Sequence, residues 1–175
     1  FDYAQILAGQ PLPDGEEIAI VTNAGGPGVM TTDAVGDSEL ALAEFTDDTF
    51  ETLEETMPGA ANIYNPVDII GDAPAERFES ALETVLADDN VSMAVVVACP
   101  TAVLSFEELA EVVVEQQQAS GLPIATTLMG GKSVGDGQAI LSEAGIPQYF
   151  DPARAVGSLD ALTAYRSIQD REFGE

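Results

Sequence analysis

The 175-residue sequence is long enough for one domain with its own core, and its 46% hydrophobic residues argue against a disordered acidic tail. Thirty-one acidic residues against five basic ones give a net charge of −26, so we expect neither nucleic acid nor membrane as a partner, since both require a basic surface. With no histidine and one cysteine, the sequence excludes a His-based catalytic triad and an internal disulfide and predicts no metal site.

The excess of negative charge predicts a cytoplasm of high salt. Self-repulsion opposes a compact fold in dilute buffer, whereas in molar salt the Debye length falls to ~3 Å and screens that repulsion. An acidic interaction surface in a low-salt cell is the alternative. No apolar run approaches the ~20 residues that cross a bilayer. The opening Phe1-Asp2-Tyr3 has neither a basic region nor an initiator Met, so we expect a cytoplasmic piece of a longer protein.

The segment Thr22–Gly28 joins a predicted strand, Glu17–Val21, to a predicted helix that begins near Pro27. Such a turn directs backbone N–H groups and the positive end of the helix dipole at one point, which favours an anion. The spacing matches neither the P-loop nor the dinucleotide-binding pattern, so a turn that binds nothing is the alternative. The residues predicted to bind phosphate are Thr22, Asn23, Ala24, Gly25, Gly26 and Gly28.

Four more apolar runs are predicted strands, at residues 39–43, 91–98, 122–129 and 146–150. Helices are predicted between them, with N-caps at Thr46, Ser105 and Asp151. Residues 1–10 resemble the last turns of a helix closed by Gly9. We therefore predict a domain at residues 15–166, preceded by the tail of another domain or a linker (1–14) and followed by a linker to a further domain (167–175).

The alternation of strands and helices predicts a three-layer, flavodoxin-like α/β domain with a five-stranded, mainly parallel sheet in the order 2-1-3-4-5. The ligand crevice of that topology lies at the carboxyl ends of the first and third strands. The turns at residues 22–28 and 98–102 then face each other, with residues 65–68 close by. Four further residues are predicted to line the site, although a plain turn around Pro66 also explains the first two: Asn65, Asp68, Pro100 and Thr101.

Several motifs together resemble one known family. They are the stretch Ile18–Val29, the pair Asp33-Ala34, the segment Asn65-Pro66-Val67-Asp68 and the segment Gly145–Tyr149, in that order. The combination resembles one domain of the NDP-forming acyl-CoA synthetases, which include the ADP-forming acetate–CoA ligases and are relatives of succinyl-CoA synthetase. The resemblance covers roughly residues 11–165.

The resemblance implies an acid–CoA ligase that converts acyl-CoA, ADP and phosphate into acid, ATP and CoA through a phosphohistidine. In that family the phosphohistidine loop lies between two helix N-termini from different domains, and here Asn23, Gly25, Gly26 and Gly28 would supply one of them. Related succinyl enzymes carry a Gly-Gly pair where this sequence has residues 99–102, so which of the two turns faces the phosphate stays open.

The sequence has no histidine, and the CoA and nucleotide sites of the family are not recognisable in it. We therefore expect the chain to be inactive alone and to bind no cofactor tightly. The resemblance then assigns CoA, ADP or ATP, and Mg to the full enzyme, and it implies a His-bearing domain and an ATP-grasp domain as partners. Two alternatives remain, a ligand-sensing regulatory module of a protein acetyltransferase fusion and a stand-alone flavodoxin-like binding protein.

Overall fold

The structure is a computed structural model and describes residues 1–173. Short strands alternate with helices along the whole chain. The elements are α1 (Asp2–Gly9), β1 (Glu17–Thr22), α2 (Gly25–Gly36), β2 (Ala41–Leu42), α3 (Asp47–Thr56), β3 (Val67–Asp68), α4 (Ala75–Leu86), β4 (Met93–Ala98), α5 (Phe106–Ser120), β5 (Ile124–Leu128), a 3₁₀ helix (Gly131–Val134), α6 (Gly135–Glu143) and α7 (Pro152–Phe173).

The sheet confirms the predicted α/β fold. Its strands run in the order β2-β1-β4-β5, all pairs being parallel, which is the predicted order for the first four predicted strands. The fifth predicted strand, residues 146–150, is reduced to a single parallel bridge between Gln148 and Thr126. Pro147 within this run has no N–H to donate, which limits pairing at the sheet edge.

The sequence analysis missed β3, which is only two residues long. Val67 and Asp68 pair with Val21 and Thr22 at the carboxyl end of β1, whereas β2 pairs with β1 at its amino end. The side chain of Asn65 fills the gap between them. Its Oδ1 accepts the N–H of Ile20 at 3.0 Å, and its Nδ2 donates to the carbonyls of Ile18 and Ala43 at 2.8 and 3.2 Å.

Each face of the sheet is covered by helices, which gives the three predicted layers. Alternate residues of β1 face opposite sides: Ala19 and Val21 belong to the core packed with α3 to α6, while Ile18 and Ile20 belong to the core packed with α1, α2 and α7. Strands buried on both faces explain why the sequence shows continuous apolar runs here. Within residues 1–173, no helix has the length and apolarity needed to cross a membrane.

The first ten residues pack on the sheet-covering helices. Ile6 of α1 is buried in the core shared with α7, and Gln10 donates to the carbonyl of Gly145 at 2.9 Å and accepts the N–H of Ile124 at 2.8 Å. Gln10 in an extended conformation caps α1, whereas the sequence analysis assigned the cap to Gly9. Residues 6 and 10 thus contact the predicted domain at residues 15–166, and the assignment of residues 1–14 to a preceding domain or a linker stays a prediction.

The predicted linker at residues 167–175 lies largely within a helix, since α7 continues to Phe173. Its last two positions, 174 and 175, lie outside the described residues. The function of this segment as a connection to a further domain stays a prediction.

Candidate functional site

The glycine loop ends in the first turn of α2, at the carboxyl end of β1. Ala24 is the N-cap and supplies no side-chain hydrogen bond, and the N–H of Gly28 already bonds to the carbonyl of Ala24 at 3.1 Å. Pro27 has no N–H. Gly25 and Gly26 are exposed, and among the residues described here no acceptor is assigned to their two amides. The arrangement thus offers two N–H donors and the positive end of a 12-residue helix to solvent.

The residues before these two glycines hold the loop in place. The buried Thr22 hydroxyl accepts the N–H of Ala24 at 3.1 Å, so that amide is used internally and not offered to a ligand. Asn23 is only 2% exposed; its Oδ1 accepts the N–H of Cys99 at 2.8 Å and its Nδ2 donates to the carbonyl of Cys99 at 3.0 Å. We expected these three residues to contact phosphate, and the structure uses their polar groups to position the loop.

The three glycines of the loop meet different surroundings. A Cβ at Gly28 would lie 3.0 Å from Cγ2 of Thr22, so the helix packs too closely on the strand for a side chain there. A Cβ at Gly25 would lie 3.1 Å from Oδ2 of Asp68, whereas a Cβ at Gly26 would meet nothing within 4 Å. Close packing therefore explains why position 28 requires a glycine. At Gly26, the lack of a side chain leaves the space in front of the helix open.

Asp68 places a carboxylate beside the same turn. Its Oδ1 accepts the N–H of Ile70 at 3.0 Å, and its Oδ2 faces Gly25. A negative charge beside the N-terminus of α2 interacts favourably with the positive end of the helix dipole. It lies next to the predicted anion site, as the sequence analysis expected, because β3 pairs with β1 and brings Asp68 level with Thr22.

The turn after β4 lies beside the glycine loop, as predicted. The side chain of Asn23 joins the two through its hydrogen bonds to the backbone of Cys99. Thr101 accepts the N–H of Leu104 through its hydroxyl at 3.2 Å. Pro100 and Thr101 line a cavity of about 270 Å³ together with Ser105 and Asp136. Burial raises the pKa of the Cys99 thiol, which disfavours the nucleophilic thiolate. Asn65 directs its amide into the sheet, so it does not present that group to the site.

A larger groove next to the glycine loop went unnoticed in the sequence. It encloses about 660 Å³, and its walls are mostly apolar. The ion pair between Arg154 and Asp2, with an N–O distance of 2.6 Å, lines it as well. The sequence signal that would have indicated this groove is the presence of exposed apolar residues after predicted strands. The apolar lining residues are Met30, Leu128, Met129, Val134, Phe150 and Pro152.

Comparison with known proteins identifies relatives across nearly the whole chain. The chain is 41% identical over 172 residues to an ADP-forming acetate–CoA ligase I of Archaeoglobus fulgidus, covering 98% of this chain and 24% of that protein. It is 37% identical over 170 residues to the alpha subunit of ADP-forming acetate–CoA ligase I of Pyrococcus furiosus, covering 93% of this chain and 35% of that subunit.

A solved structure agrees with these relatives. The dinucleotide-forming acetyl-coenzyme A synthetase 1 of Candidatus Korarchaeum cryptofilum, solved with phosphate and ADP, superposes with a TM-score of 0.88 at 29% identity, covering 97% of this chain and 37% of that chain. The chain thus spans about a quarter to a third of the length of these curated relatives. The Ligase-CoA domain family matches residues 18–167, and the chain belongs to this family.

Proposed function

We propose that the chain is the module of an ADP-forming acyl-CoA synthetase that offers the N-terminal turn of α2 to a phosphohistidine loop on another domain. The free amides of Gly25 and Gly26 at the carboxyl edge of the sheet carry this proposal. The relatives support it, because those named above are ADP-forming acetate–CoA ligases. In the full enzyme the overall reaction would be acyl-CoA + ADP + phosphate → acid + ATP + CoA.

The chain's own contribution would be electrostatic. During phosphoryl transfer negative charge is spread over the oxygens of the transferred group, and donors already in place stabilise that charge without reorganisation. Gly25 and Gly26 would donate to these oxygens. Asn23 would keep the loop fixed against the turn after β4 through its two hydrogen bonds to Cys99.

The remaining chemistry would belong to other parts of the enzyme. The sequence has no histidine, so the phosphorylated residue would lie in a His-bearing domain. Within residues 1–173 no three His, Cys, Asp or Glu side chains converge on a point that suits a metal ion. As the resemblance implies, we propose that Mg and ADP or ATP bind to an ATP-grasp domain and that CoA binds to a further domain.

The proposal is tested by Gly26→Val in the full-length synthetase, with formation of phosphohistidine from acyl-CoA and radiolabelled phosphate as the measurement. The valine fills open space, so the fold is kept while the approach to the amides is blocked. We expect the rate to fall by about 10²-fold or more, as it does when an oxyanion donor is lost. The matched control is Gly36→Val at the other end of α2, where a Cβ also meets nothing within 4 Å. Equal rates for the two variants would refute the proposed function.

The ligase is favoured over the two alternative functions by the relatives. The domain content of the full-length protein distinguishes the synthetase from the ligand-sensing module. An ATP-grasp domain is expected for the synthetase, and an acetyltransferase domain in its place would favour the ligand-sensing module.

We also propose that the protein works in a cytoplasm of high salt. The net charge of −26 supports this, because salt screens the self-repulsion that opposes a compact fold at such a charge. The urea midpoint of unfolding is expected to rise steadily between dilute buffer and molar KCl. A midpoint independent of KCl would contradict the proposal.

A further inference from the structure

Asp68 puts a negative charge beside a turn whose exposed amides favour an anion. A Cβ at Gly25 would lie 3.1 Å from Oδ2 of Asp68, so this oxygen is within about 5 Å of the Gly25 Cα. Among residues 1–173, no hydrogen bond joins Asp68 to the amide of Gly25 or Gly26. The carboxylate therefore lies next to the two donors without occupying them, and an anion bound to these donors would meet it.

The Asp68 carboxylate is held in this direction, because its other oxygen and its backbone are fixed. Oδ1 accepts the N–H of Ile70 at 3.0 Å. The backbone N–H and carbonyl of Asp68 both bond to the backbone of Asn62 at 2.9 Å, and the N–H of Ile69 donates to the carbonyl of Thr22 at 2.8 Å. The pairing of β3 with β1 thus sets the position of Oδ2.

The residue that binds Oδ1 has an uncommon backbone conformation. Ile70 has a φ of 61°, and a β-branched residue rarely adopts a positive φ because its side chain is crowded there. Arg77 supports this turn, since it donates to the carbonyl of Ile69 at 3.0 Å and pairs with Asp72 at 2.5 Å. Strained conformations persist where the surrounding contacts impose them, and they concentrate at functional sites. The contacts of this turn therefore fix the Asp68 carboxylate despite the strain at Ile70.

A free carboxylate oxygen distinguishes anions that carry a proton from anions that do not. An ionised carboxylate only accepts hydrogen bonds, and no donor to Oδ2 of Asp68 is found in the described part of the chain. Near neutral pH inorganic phosphate and arsenate retain an O–H group, whereas sulfate is fully ionised. Phosphate on the two amides can therefore donate to Oδ2, whereas sulfate would bring its negative charge against an unpaired acceptor.

We infer that Asp68 is a specificity-determining residue that selects phosphate over sulfate at the N-terminus of α2, an inference that rests on the proposed function. Inorganic phosphate is the source of the transferred group in that reaction, so it would meet the amides of Gly25 and Gly26. The helix dipole and these amides attract both anions, and Asp68 supplies the difference between them. The favourable interaction of its charge with the dipole of α2 does not depend on which anion is bound.

The test measures inhibition of the full-length synthetase by two analogues of phosphate, sulfate and arsenate. The readout is the initial rate of phosphohistidine formation from acyl-CoA and radiolabelled phosphate, and the ratio of the sulfate to the arsenate inhibition constant is compared between variants. We expect this ratio to be about ten or more in wild type. In Asp68→Asn the amide oxygen still accepts the N–H of Ile70 while the NH₂ group donates to an anion, so the ratio should fall by about tenfold.

The matched control is Asp37→Asn, which removes the same charge at the other end of α2. Asp37 is the exposed C-cap of this helix and lies about 18 Å along it from Gly25. Its ratio should stay within about twofold of wild type, because salt screens charges at this distance. A ratio of inhibition constants does not depend on the amount of active enzyme, so partial unfolding cannot produce the expected change. An equal change of both constants in Asp68→Asn indicates a purely structural role and overturns the inference.

The outcomes also separate this inference from the proposed function. If Gly26→Val lowers phosphohistidine formation but Asp68→Asn keeps the wild-type ratio, the proposed function stands and the selection by Asp68 is refuted. Wild type that is inhibited equally by both anions refutes that selection as well. If Gly26→Val and Gly36→Val are equally active, the proposed function fails. A ratio that still falls in Asp68→Asn would then assign this residue to a phosphate site without α2, which overturns the inference as stated.

Discussion

Replacing Asn23 with alanine should destabilise the junction between the two loops at the carboxyl edge. The Asn23 side chain is buried and makes two hydrogen bonds, at 2.8 and 3.0 Å, to the N–H and carbonyl of Cys99. In Asn23→Ala both backbone groups lose their partner. An unsatisfied buried group costs about 1–3 kcal/mol. Cys99 is only half-buried, so water can reach either its N–H or its carbonyl group. We therefore expect a total loss of about 2–4 kcal/mol in the free energy of unfolding.

The measurement is urea unfolding of the 175-residue chain in molar KCl, where the slope m should stay unchanged if the change lies in stability alone. The melting temperature should fall by about 5–15 °C for a chain of this size. Asn62→Ala is the control, since Asn62 is an exposed asparagine that bonds to the carbonyl of Pro66; we expect it to cost less than about 1 kcal/mol. Asn23→Asp keeps the acceptor for the N–H of Cys99 and should lie between Asn23→Ala and wild type.

The reasoning is refuted if Asn23→Ala and Asn62→Ala have the same free energy of unfolding. A functional readout adds a second check. In the full-length synthetase, Asn23→Ala should lower phosphohistidine formation even at temperatures where the protein is fully folded, because the amides of Gly25 and Gly26 are no longer held in one position.

Three further predictions concern other contacts. Asn65→Ala removes the partner of the Ile20 N–H and of two carbonyls, and urea unfolding should show a loss of about 2–5 kcal/mol. Gly9→Ala places a Cβ against the backbone of Gly145, and calorimetry should show a lower melting temperature. Burial raises the pKa of Asp88, but hydrogen bonds from Thr49, Thr46 and Asn90 outweigh it and hold that pKa below its ordinary value. The stability that Asp88 contributes is therefore present above about pH 4 and lost as the pH falls through its lowered folded pKa.

Each of these predictions has its own control. Asn90→Ala, which removes a single exposed bond to the carbonyl of Glu44, should cost less than Asn65→Ala. Gly59→Ala, where the Cβ meets open space, should leave the melting temperature unchanged. For Asp88→Asn, the difference in unfolding free energy from wild type should shrink between pH 7 and pH 3, and a difference independent of pH would contradict the assignment.

Signals confined to a few neighbouring residues predicted most of the elements. Thr46 and Ser105 cap their helices, accepting the N–H groups of Thr49 and Glu108 as expected. Gly121 ends α5 in the left-handed conformation at φ 70°, where a side chain is strained. The apolar runs predicted the strands and their parallel order, because strands buried on both faces need helices on either side.

The sequence by itself determined the α/β class, the order of the central strands and the position of the glycine loop at a helix N-terminus. Only the tertiary structure decided what each polar residue of the loop does. Asn23 bonds to Cys99 across 76 positions and Asn65 bonds to Ile20 across 45, and no local pattern encodes such pairs. Gly28 and Gly26 look alike in the sequence, yet one packs against Thr22 and the other faces open space. Periodicity and capping act between near neighbours along the chain, whereas the partners of a buried amide are chosen by how the strands pack.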